Sequence, residues 1–400
     1  MNSAVSRQDF LRVAAVALLR AWRARGTSRT PPADDWRALL PDYEQCARGN
    51  IVQVDGRRAM LASRLYPCTY IRDALFWGPL ALQDSELGLE CYRWFADAQL
   101  PNGQIPSAVA LHPGQEPLCI PTDDEGTLLF LIASDWLTAH GHDVDRQRIL
   151  AAYAWVQGHV PGDLYLSSAG PFRYWADTVN PNVTEAIAHN QGLLCLARRA
   201  MVRLGLGGVS EGDVLKAQER YRSFYDFRRG YVALGKYSRF AFAQDLSAIF
   251  PEFLSRYLYG EPILVDRMVV THVERILGNA SVYTTGRRLA GIKVISSASG
   301  GFLQPGWFHE PALNPRGDYQ NGGYWPMYTI VALALAYSIS RDERYERIVG
   351  QLVSNELAGD HQSKEVIRLT PGKLGTFDPL RCNYTWNALI SLVCRWAGLA

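Results

Sequence analysis

The chain of 400 residues lacks the signatures of several common protein classes. It contains no glycine-rich phosphate loop, no dinucleotide-binding fingerprint and no EF-hand calcium loop. No stretch reaches the roughly 18 apolar residues that a membrane-spanning helix needs. There is no basic run and no acidic tail, and the formal net charge is only +2. These absences argue against nucleic acid or an anionic membrane as the main partner.

Cysteine is also scarce. The seven cysteines are scattered, odd in number and without a C-x-x-C pair. This pattern favours reduced thiols in a cytoplasmic compartment over a disulfide framework. It also argues against a structural zinc site. The sequence therefore predicts a cytoplasmic protein that uses no metal and no cofactor.

The N-terminal segment around Arg7, with the apolar run that follows it, loosely resembles a twin-arginine export signal. The second arginine of such a signal is missing, and Arg20, Arg23 and Arg25 stand where a small-residue cleavage site would be. We therefore expect residues 8–25 to form an amphipathic helix that stays in the mature fold.

Apolar and aromatic residues are plentiful, with 48% hydrophobic residues, 11 tryptophans and 20 tyrosines. Six apolar segments recur, each preceded by a polar or aromatic cluster, and they predict inner helices at 74–82, 127–136, 184–204, 246–258, 327–338 and 388–396. Amphipathic helices are predicted after five of them, at 86–99, 145–158, 211–225, 263–276 and 342–357, with the helix at 8–25 as the sixth partner. Helices that are apolar all round are buried, whereas one-sided helices keep a face in solvent. Recurrence of one unit along a chain indicates a repeat architecture.

Six helical hairpins of this kind predict an all-α fold, an (α/α)6 barrel, built as one domain over residues 1–400. The inner helices then run parallel, so the six polar clusters gather at one mouth. The loops that lead to this mouth are long, at 100–121, 159–183, 226–243, 277–321 and 358–382, and long loops in compact domains are usually functional. The β-branched residues in 277–321 predict a small β-excursion there, and a short hairpin is expected at 52–58.

The stretch that leads into the third inner helix combines a carboxyl group with aromatic rings. Asp177 follows Tyr174 and Trp175, and Thr184 can cap the helix that comes next. Apolar walls raise the pKa of a carboxyl group, so that it keeps its proton near neutral pH. Two carboxyl groups over an aromatic floor suit glycoside hydrolysis, in which one protonates the leaving oxygen and the other activates water or attacks carbon.

Three segments resemble those of known six-hairpin glycosidases. The Trp-Ala-Asp segment that ends at Asp177 looks like the acid-bearing segment of amylo-α-1,6-glucosidases. The pair Arg72 and Asp73 resembles the Arg-Asp pair with which glucoamylase-like and debranching-type enzymes hold hydroxyls of the terminal sugar. The Asn-Gly-Gly-Tyr-Trp-Pro segment that begins at Asn321 is similar to a segment of neutral invertases.

This resemblance implies an inverting glycoside hydrolase whose two carboxyl groups stand about 6.5–9.5 Å apart with a water between them. Asp177 would be the general acid and Glu365 the general base, with Asp318 and Glu310 as alternatives for the base. The implied partner is a small carbohydrate, cleaved at its non-reducing-end sugar, of the α-glucoside-type oligosaccharide or small-glycoside class. The side chains expected to contact it are Arg72, Asp73, Trp77, Asp124, Tyr174, Trp175, Asn190, Trp307, Glu310, Asp318, Asn321, Trp325 and Trp386.

Each of these positions also has a structural interpretation. Arg72 and Asp73 can pair with each other at a helix start, and the acidic run at 123–125 suits the positive end of a helix dipole. His189 fits a hydrogen-bonded position inside the third inner helix. Glu365 can be a solvated loop charge.

Other activities also occur on this fold. A polysaccharide lyase would need basic groups for acidic sugars, and a sugar epimerase would need paired histidines at the mouth. A catalytically inactive scaffold would only bind carbohydrate, and phosphate could replace water as the acceptor. A hydrolase, unlike a scaffold, should lose turnover on Asp177→Asn and keep its affinity for the sugar.

Overall fold

The computed structural model describes residues 35–64, 66, 68–111, 124–167, 173–180, 185–285, 288–357, 360–368 and 383–400. Within these residues the chain forms twelve α-helices, of which the even-numbered ones form an inner ring and the odd-numbered ones an outer ring. In chain order they are α1 (Leu40–Arg48), α2 (Gly78–Leu82), α3 (Ser85–Asp97), α4 (Asp124–Ala139), α5 (Arg146–Gln157), α6 (Ala188–Leu204), α7 (Glu211–Arg222), α8 (Phe250–Tyr259), α9 (Asp266–Leu277), α10 (Pro326–Ser340), α11 (Glu343–Leu357) and α12 (Ala388–Ala397).

The inner helices close into a ring. Each of α4, α6, α8 and α10 contacts the next inner helix along the chain, and α12 packs against α2. A π-helix (Ile71–Trp77) leads into α2 and contacts α4, which completes the circle. The predicted all-α (α/α)6 barrel is thereby confirmed.

Burial separates the two rings as the hydrophobic pattern predicts. In α10 every residue from 326 to 336 is buried, and in α4 every residue from 124 to 137. The outer helix α9 buries only Val269, His272, Val273 and Ile276, which form one face. Helices without a polar face are stable only inside the ring, so the pattern fixes which helices line the barrel.

The sixth outer position is filled by a helix that the sequence interpretation did not include. Within the described residues, α1 packs against α12 and closes the outer ring there. The helix predicted at 8–25 lies outside the described residues. Whether residues 8–25 form a helix stays a prediction, but the outer position that this helix was expected to fill is occupied by α1.

Three inner helices, α2, α6 and α8, begin four residues later than predicted. Helix α6 starts at Ala188 and not at 184, because Ile187 has an extended backbone and forms a β-bridge with Gly235. The proposed cap at Thr184 lies outside the described residues. Short 3-10 turns precede α8 and α12, and the π-helix precedes α2. The 3-10 turns are common helix ends, whereas π-helical turns are frequent at functional sites.

The strands form five antiparallel ribbons of two strands each within the described residues. The pairs are β1 (Ile51–Val54) with β2 (Arg57–Met60), β3 (Cys68–Tyr70) with β4 (Ala108–Ala110), β5 (Tyr225–Asp226) with β6 (Tyr231–Val232), β7 (Ala243–Asp245) with β10 (Ile295–Ser297), and β8 (Val282–Thr285) with β9 (Arg288–Ile292). The expected hairpin near 52–58 and the β-excursion in 277–321 are both present. Strand β7 runs directly into the turn before α8, so its pairing with β10 fixes the excursion to the mouth.

No helix in the described part of the chain has the length and apolar character to cross a membrane. The five cysteines in that part, Cys46, Cys68, Cys91, Cys195 and Cys394, are buried free thiols.

The packing is close where α6 meets α7 and α8. A Cβ atom built on Gly192 would lie 2.6 Å from the side chain of Pro251 in α8 and 3.0 Å from the ring of Tyr221 in α7. Both distances are shorter than a carbon–carbon contact tolerates. The absence of a side chain at this position therefore sets the separation of three helices.

We predict that Gly192→Ala lowers the free energy of unfolding by about 1–3 kcal/mol, because the added methyl group overpacks the core. Denaturant titration followed by circular dichroism measures this change. The matched control is Gly212→Ala in α7, where the nearest atom to a Cβ is the Ser210 hydroxyl at 3.5 Å. That substitution should be neutral or stabilising by about 0.4–1 kcal/mol. Equal destabilisation by both variants would contradict the packing argument.

Candidate functional site

A buried charge cluster joins three inner segments at the N-terminal end of the ring. Arg72 from the π-helix donates to Glu125 Oε2 over 3.2 Å, and His189 Nε2 lies 3.0 Å from Glu125 Oε1. The side chains of Glu125 and His189 are fully buried, and that of Arg72 is 13% exposed. The carboxylate of α4 thus links α6 to the segment before α2.

The hydrogen bonds of His189 constrain the protonation of this cluster. Its Nδ1 lies 3.0 Å from the carbonyl oxygen of Ser247, which can only accept, so Nδ1 carries a hydrogen. The Nε2 contact with Glu125 then requires a second proton, held by the imidazole or by the carboxyl group. In either case one proton is shared across a fully buried contact.

Ser247 extends the network to the fourth inner segment. Its hydroxyl donates to Asp245 Oδ2 over 2.7 Å and accepts from the indole N–H of Trp175. The backbone N–H of Ser247 also donates to Asp245 Oδ1 over 2.8 Å. Burial raises the pKa of Asp245 to about 6, although the hydrogen bonds from Ser247 and the neighbouring His189 oppose this rise. The network orients Trp175 through a side chain in another helix.

Asp73 and Glu365 lie close together beside this cluster. Asp73 is 2% exposed and accepts from the backbone N–H of Trp386 over 3.2 Å. Burial raises the pKa of Asp73 to about 7; Arg72 opposes this shift, and the nearby Glu365 carboxylate adds to it. The structure thus brings together Arg72, Asp73 and Glu365 from distant parts of the sequence.

The backbone around Glu365 is held on both sides. The N–H of Lys364 donates to Glu356 over 2.8 Å, and Ile367 and Tyr324 exchange backbone hydrogen bonds of 2.8 and 2.9 Å. Glu365 itself is only 5% exposed. It is therefore a buried, positioned carboxyl group and not the solvated loop charge of the structural interpretation.

Aromatic side chains pack around the carboxyl groups. The ring of Trp386 lies 5.8 Å from Trp77, 5.7 Å from Trp325 and 5.2 Å from Tyr384. Trp175 lies 5.0 Å from Trp325. Trp77 has no exposed surface, so it supports the cluster from the core, whereas Trp386 retains 3% exposure.

Asp177 is partly exposed and contacts the hydroxyl of Tyr319. Its Oδ1 accepts from Gln320 Nε2 over 2.7 Å and from the Tyr319 hydroxyl over 3.2 Å, while the ring of Tyr319 lies 5.3 Å from Trp325. The Gln320 side chain is itself fixed by the backbone N–H of Thr178, 2.9 Å from Oε1. Polar donors therefore hold this carboxyl group, where the sequence predicted enclosure by apolar walls.

Two of the predicted contact residues bind loop backbone. Asn190 Nδ2 donates to the carbonyl of Arg173 over 2.7 Å. The Asn321 side chain accepts from the N–H of Leu303 over 2.9 Å and donates to the carbonyl of Asn314 over 3.1 Å. These amides hold the loops that carry other mouth residues.

The remaining predicted residues divide between the floor and the rim. Buried Asp124 lies near Arg173. Desolvation lowers the pKa of Arg173, and the Asp124 carboxylate opposes this shift. Buried Tyr174 has its ring 6.2 Å from that of His189.

At the rim, Asp318 pairs with Arg368 over 2.6 Å and borders a cavity of about 190 Å³ that Tyr319 and Val366 also line. Trp307 packs 5.0 Å from Phe240, and Glu310 is exposed nearby.

Sequence reasoning did not single out Ser247, Gln320 or Arg173. Ser247 follows Asp245 at the spacing of a helix cap, and Gln320 directly precedes the segment that begins at Asn321. Their partners come from other hairpins, so neither residue carries a local signal. Among the described residues no group of three or more His, Cys, Asp and Glu side chains is arranged to hold a metal ion.

Comparison with solved structures finds the same fold in carbohydrate-active proteins. A glycosidase variant superposes with a TM-score of 0.61 at 14% identity, over 92% of this chain and 98% of that one. The GH63 mannosylglycerate hydrolase from Thermus thermophilus, in complex with glucose, gives 0.58 at 14% identity over 89% and 100%. A D-mannose isomerase gives 0.57 at 8% identity over 92% and 99%. No protein-family model and no curated protein sequence matches the chain.

We predict that Glu125→Gln lowers the free energy of unfolding by about 3–5 kcal/mol, because it removes the charge that compensates buried Arg72. Urea titration at pH 7 measures the change. The control is Glu211→Gln, since Glu211 pairs with Arg199 but is 59% exposed, and a surface pair contributes at most about 1 kcal/mol. A loss below about 1 kcal/mol for Glu125→Gln would show that the cluster does not stabilise the ring.

The raised pKa of Asp73 predicts a pH dependence of stability. An unfolded aspartate loses its proton near pH 4, whereas folded Asp73 keeps it until about pH 7. The contribution of Asp73 is therefore greatest below about pH 4 and declines as the pH rises through 7, by an amount on the order of a few kcal/mol. Asp73→Asn should flatten the curve of unfolding free energy between pH 4.5 and 7.5. A variant curve parallel to that of the wild type would contradict the assignment.

Proposed function

We propose that the chain is an inverting glycoside hydrolase that removes the non-reducing-end sugar of a small glycoside or an α-glucoside-type oligosaccharide. The single observation that supports this proposal is that Asp177 and Glu365 both border the aromatic cluster of Tyr319, Trp325, Trp386 and Tyr384. Asp177 is partly exposed and fixed by Tyr319 and Gln320, whereas Glu365 is buried next to Asp73. The fold shared with a glycosidase and a GH63 hydrolase supports the same assignment.

In this mechanism Asp177 is the general acid and Glu365 the general base. Glu365 takes a proton from a water molecule, whose oxygen attacks the anomeric carbon from the face opposite the leaving group. Asp177 gives its proton to the glycosidic oxygen as the carbon–oxygen bond breaks. The anomeric configuration inverts because attack and departure occur on opposite faces.

Arg72 and Asp73 are proposed to hold hydroxyls of the terminal sugar. Arg72 presents donors from a rigid planar group whose charge is balanced by Glu125. Asp73 offers both a donor and an acceptor below about pH 7, because its carboxyl group is then protonated. Trp386 packs beside Asp73 and supplies an apolar ring edge for the sugar.

The leaving group would lie on the Asp177 side of the mouth. The guanidinium of Arg239 there stacks 5.3 Å from the ring of Trp307 and faces the carbonyl of Asn180. A cation over an aromatic ring suits a small, polar or acidic aglycone. The similar GH63 protein is named for mannosylglycerate, a sugar joined to a small hydroxy acid.

An isomerase or epimerase is the second candidate, because a D-mannose isomerase shares the fold. Such chemistry needs imidazole groups that reach the sugar. His189, however, has no exposed surface and uses both ring nitrogens in contacts with Glu125 and Ser247. This arrangement favours the hydrolase. The predicted single domain and cytoplasmic location are part of the proposal.

We predict that Asp177→Asn and Glu365→Gln each lower kcat by about 10²–10⁴-fold and leave sugar affinity nearly unchanged, because each removes one proton transfer. Turnover of nitrophenyl glycosides and α-linked disaccharides, with NMR of the first-formed anomer, measures the effect. Glu343→Gln, at an 81% exposed position of the outer helix α11, is the control and should retain activity.

Retention of configuration in the product would contradict the assignment of Glu365 as a base. Turnover that depends on added phosphate and yields a sugar phosphate would replace hydrolysis with phosphorolysis. Full activity of Asp177→Asn would overturn the choice of acid.

A further inference from the structure

A second cavity, of about 550 Å³, lies at the other end of the barrel. The C-terminal ends of four inner helices, α2, α4, α6 and α8, line it. Its polar and aromatic lining includes Gln83, Asp135, Trp136, Arg203, Tyr257 and Tyr259. Its volume falls within the usual range for small-molecule sites.

This cavity is separate from the mouth. Glu125 and Asp135 stand at opposite ends of α4, ten residues apart in the chain. At a rise of about 1.5 Å per residue this spacing is roughly 15 Å along the helix. The lining residues that the structure describes include none of those assigned to the mouth.

The polar groups of the cavity form a positioned pair. Asp135 pairs with Arg203 over 3.1 Å, although the Asp135 side chain is only 6% exposed. Burial raises the pKa of Asp135, and Arg203 opposes that rise. A half-buried pair of this kind adds little to stability. It does present a carboxylate and a guanidinium with fixed orientation on the cavity wall.

Aromatic rings flank this pair. The guanidinium of Arg203 lies 5.4 Å from the ring centre of Tyr259. Tyr257 and Trp136 line the same cavity, and Tyr257 is hydrogen-bonded to the side chain of Gln83. Gln83 is the left-handed C-cap of α2, with φ 53°, so the end of this helix places its side chain at the cavity.

The ion pair, the amide and the aromatic rings of the cavity wall indicate which class of ligand the cavity can bind. The charge of Arg203 is already neutralised by Asp135, so this pair supplies no excess positive charge for a phosphate or carboxylate. The carboxylate, guanidinium and amide make the lining too polar for a purely apolar ligand. Paired donors and acceptors beside ring faces match the alternating hydroxyls and C–H faces of a sugar.

We propose that this cavity is a second carbohydrate site that binds a neutral monosaccharide or disaccharide at the end of the barrel opposite the mouth. Asp135 accepts hydrogen bonds from adjacent hydroxyls, Arg203 donates to ring or hydroxyl oxygens, and Tyr257 and Tyr259 cover the apolar faces. The site goes beyond the proposed hydrolysis, because it takes no part in proton transfer.

The test is an NMR saturation-transfer titration of the full chain with maltose and glucose. The Glu365→Gln background prevents turnover during the measurement. We expect one class of bound sugar whose affinity falls at least tenfold in Asp135→Asn. Tyr257→Ala should weaken the same binding, and it serves as a second variant because loss of the Asp135 charge could perturb folding. Asp97→Asn, a 60% exposed aspartate outside the cavity, is the matched control and should change nothing.

Loss of all sugar binding on mutation of the mouth, with no effect of Asp135→Asn or Tyr257→Ala, would overturn the second site. Displacement of maltose from this site by inorganic phosphate would overturn its assignment to neutral sugars. Failure of the hydrolase proposal is distinguishable, because it would appear as unchanged turnover in Asp177→Asn and would leave the second binding class intact.

Discussion

The constraint on which the mouth depends is the burial of one carboxyl group between an arginine and a histidine. Glu125 has no exposed surface and is held between Arg72 and His189, each from a different inner segment. Burying a carboxylate without partners lowers the stability of the folded state by several kcal/mol. The three segments must therefore keep their relative rotation, and this rotation also directs the neighbouring Asp73 toward Glu365.

The fold was predictable because its signal is local and repeated. Each inner helix is apolar on all sides, as in α10, and each outer helix on one side, as in α9, so burial could be assigned segment by segment. Boundaries were less predictable. The start of α6 moved to Ala188 because Ile187 pairs with Gly235, a contact between loops that no helical pattern encodes.

Among the residues of the candidate site, those whose own side chain is charged could be predicted from the sequence. Arg72, Asp73 and Glu365 are charged residues in otherwise apolar or aromatic surroundings, and the structure brings them together. The supporting residues gave no such signal: Ser247 and Gln320 matter because of Trp175 and Thr178, which belong to other hairpins. The expected apolar enclosure of Asp177 also failed, since its neighbours in space, unlike those in sequence, are polar donors.

The parallel direction of the inner helices explains why the two ends of the barrel differ in charge. Helix N-termini favour anions and C-termini favour cations, and the carboxyl groups of Asp124 and Asp245 lie at the N-terminal end. At the other end Arg341 donates to the carbonyl of Ala397, the last residue of α12, and Arg203 stands in the last turn of α6. An aspartate such as Asp135 near that end meets an unfavourable dipole, and Arg203 offsets it. The helix dipoles therefore favour carboxyl groups at the mouth, whereas at the opposite end Arg203 compensates the charge of Asp135.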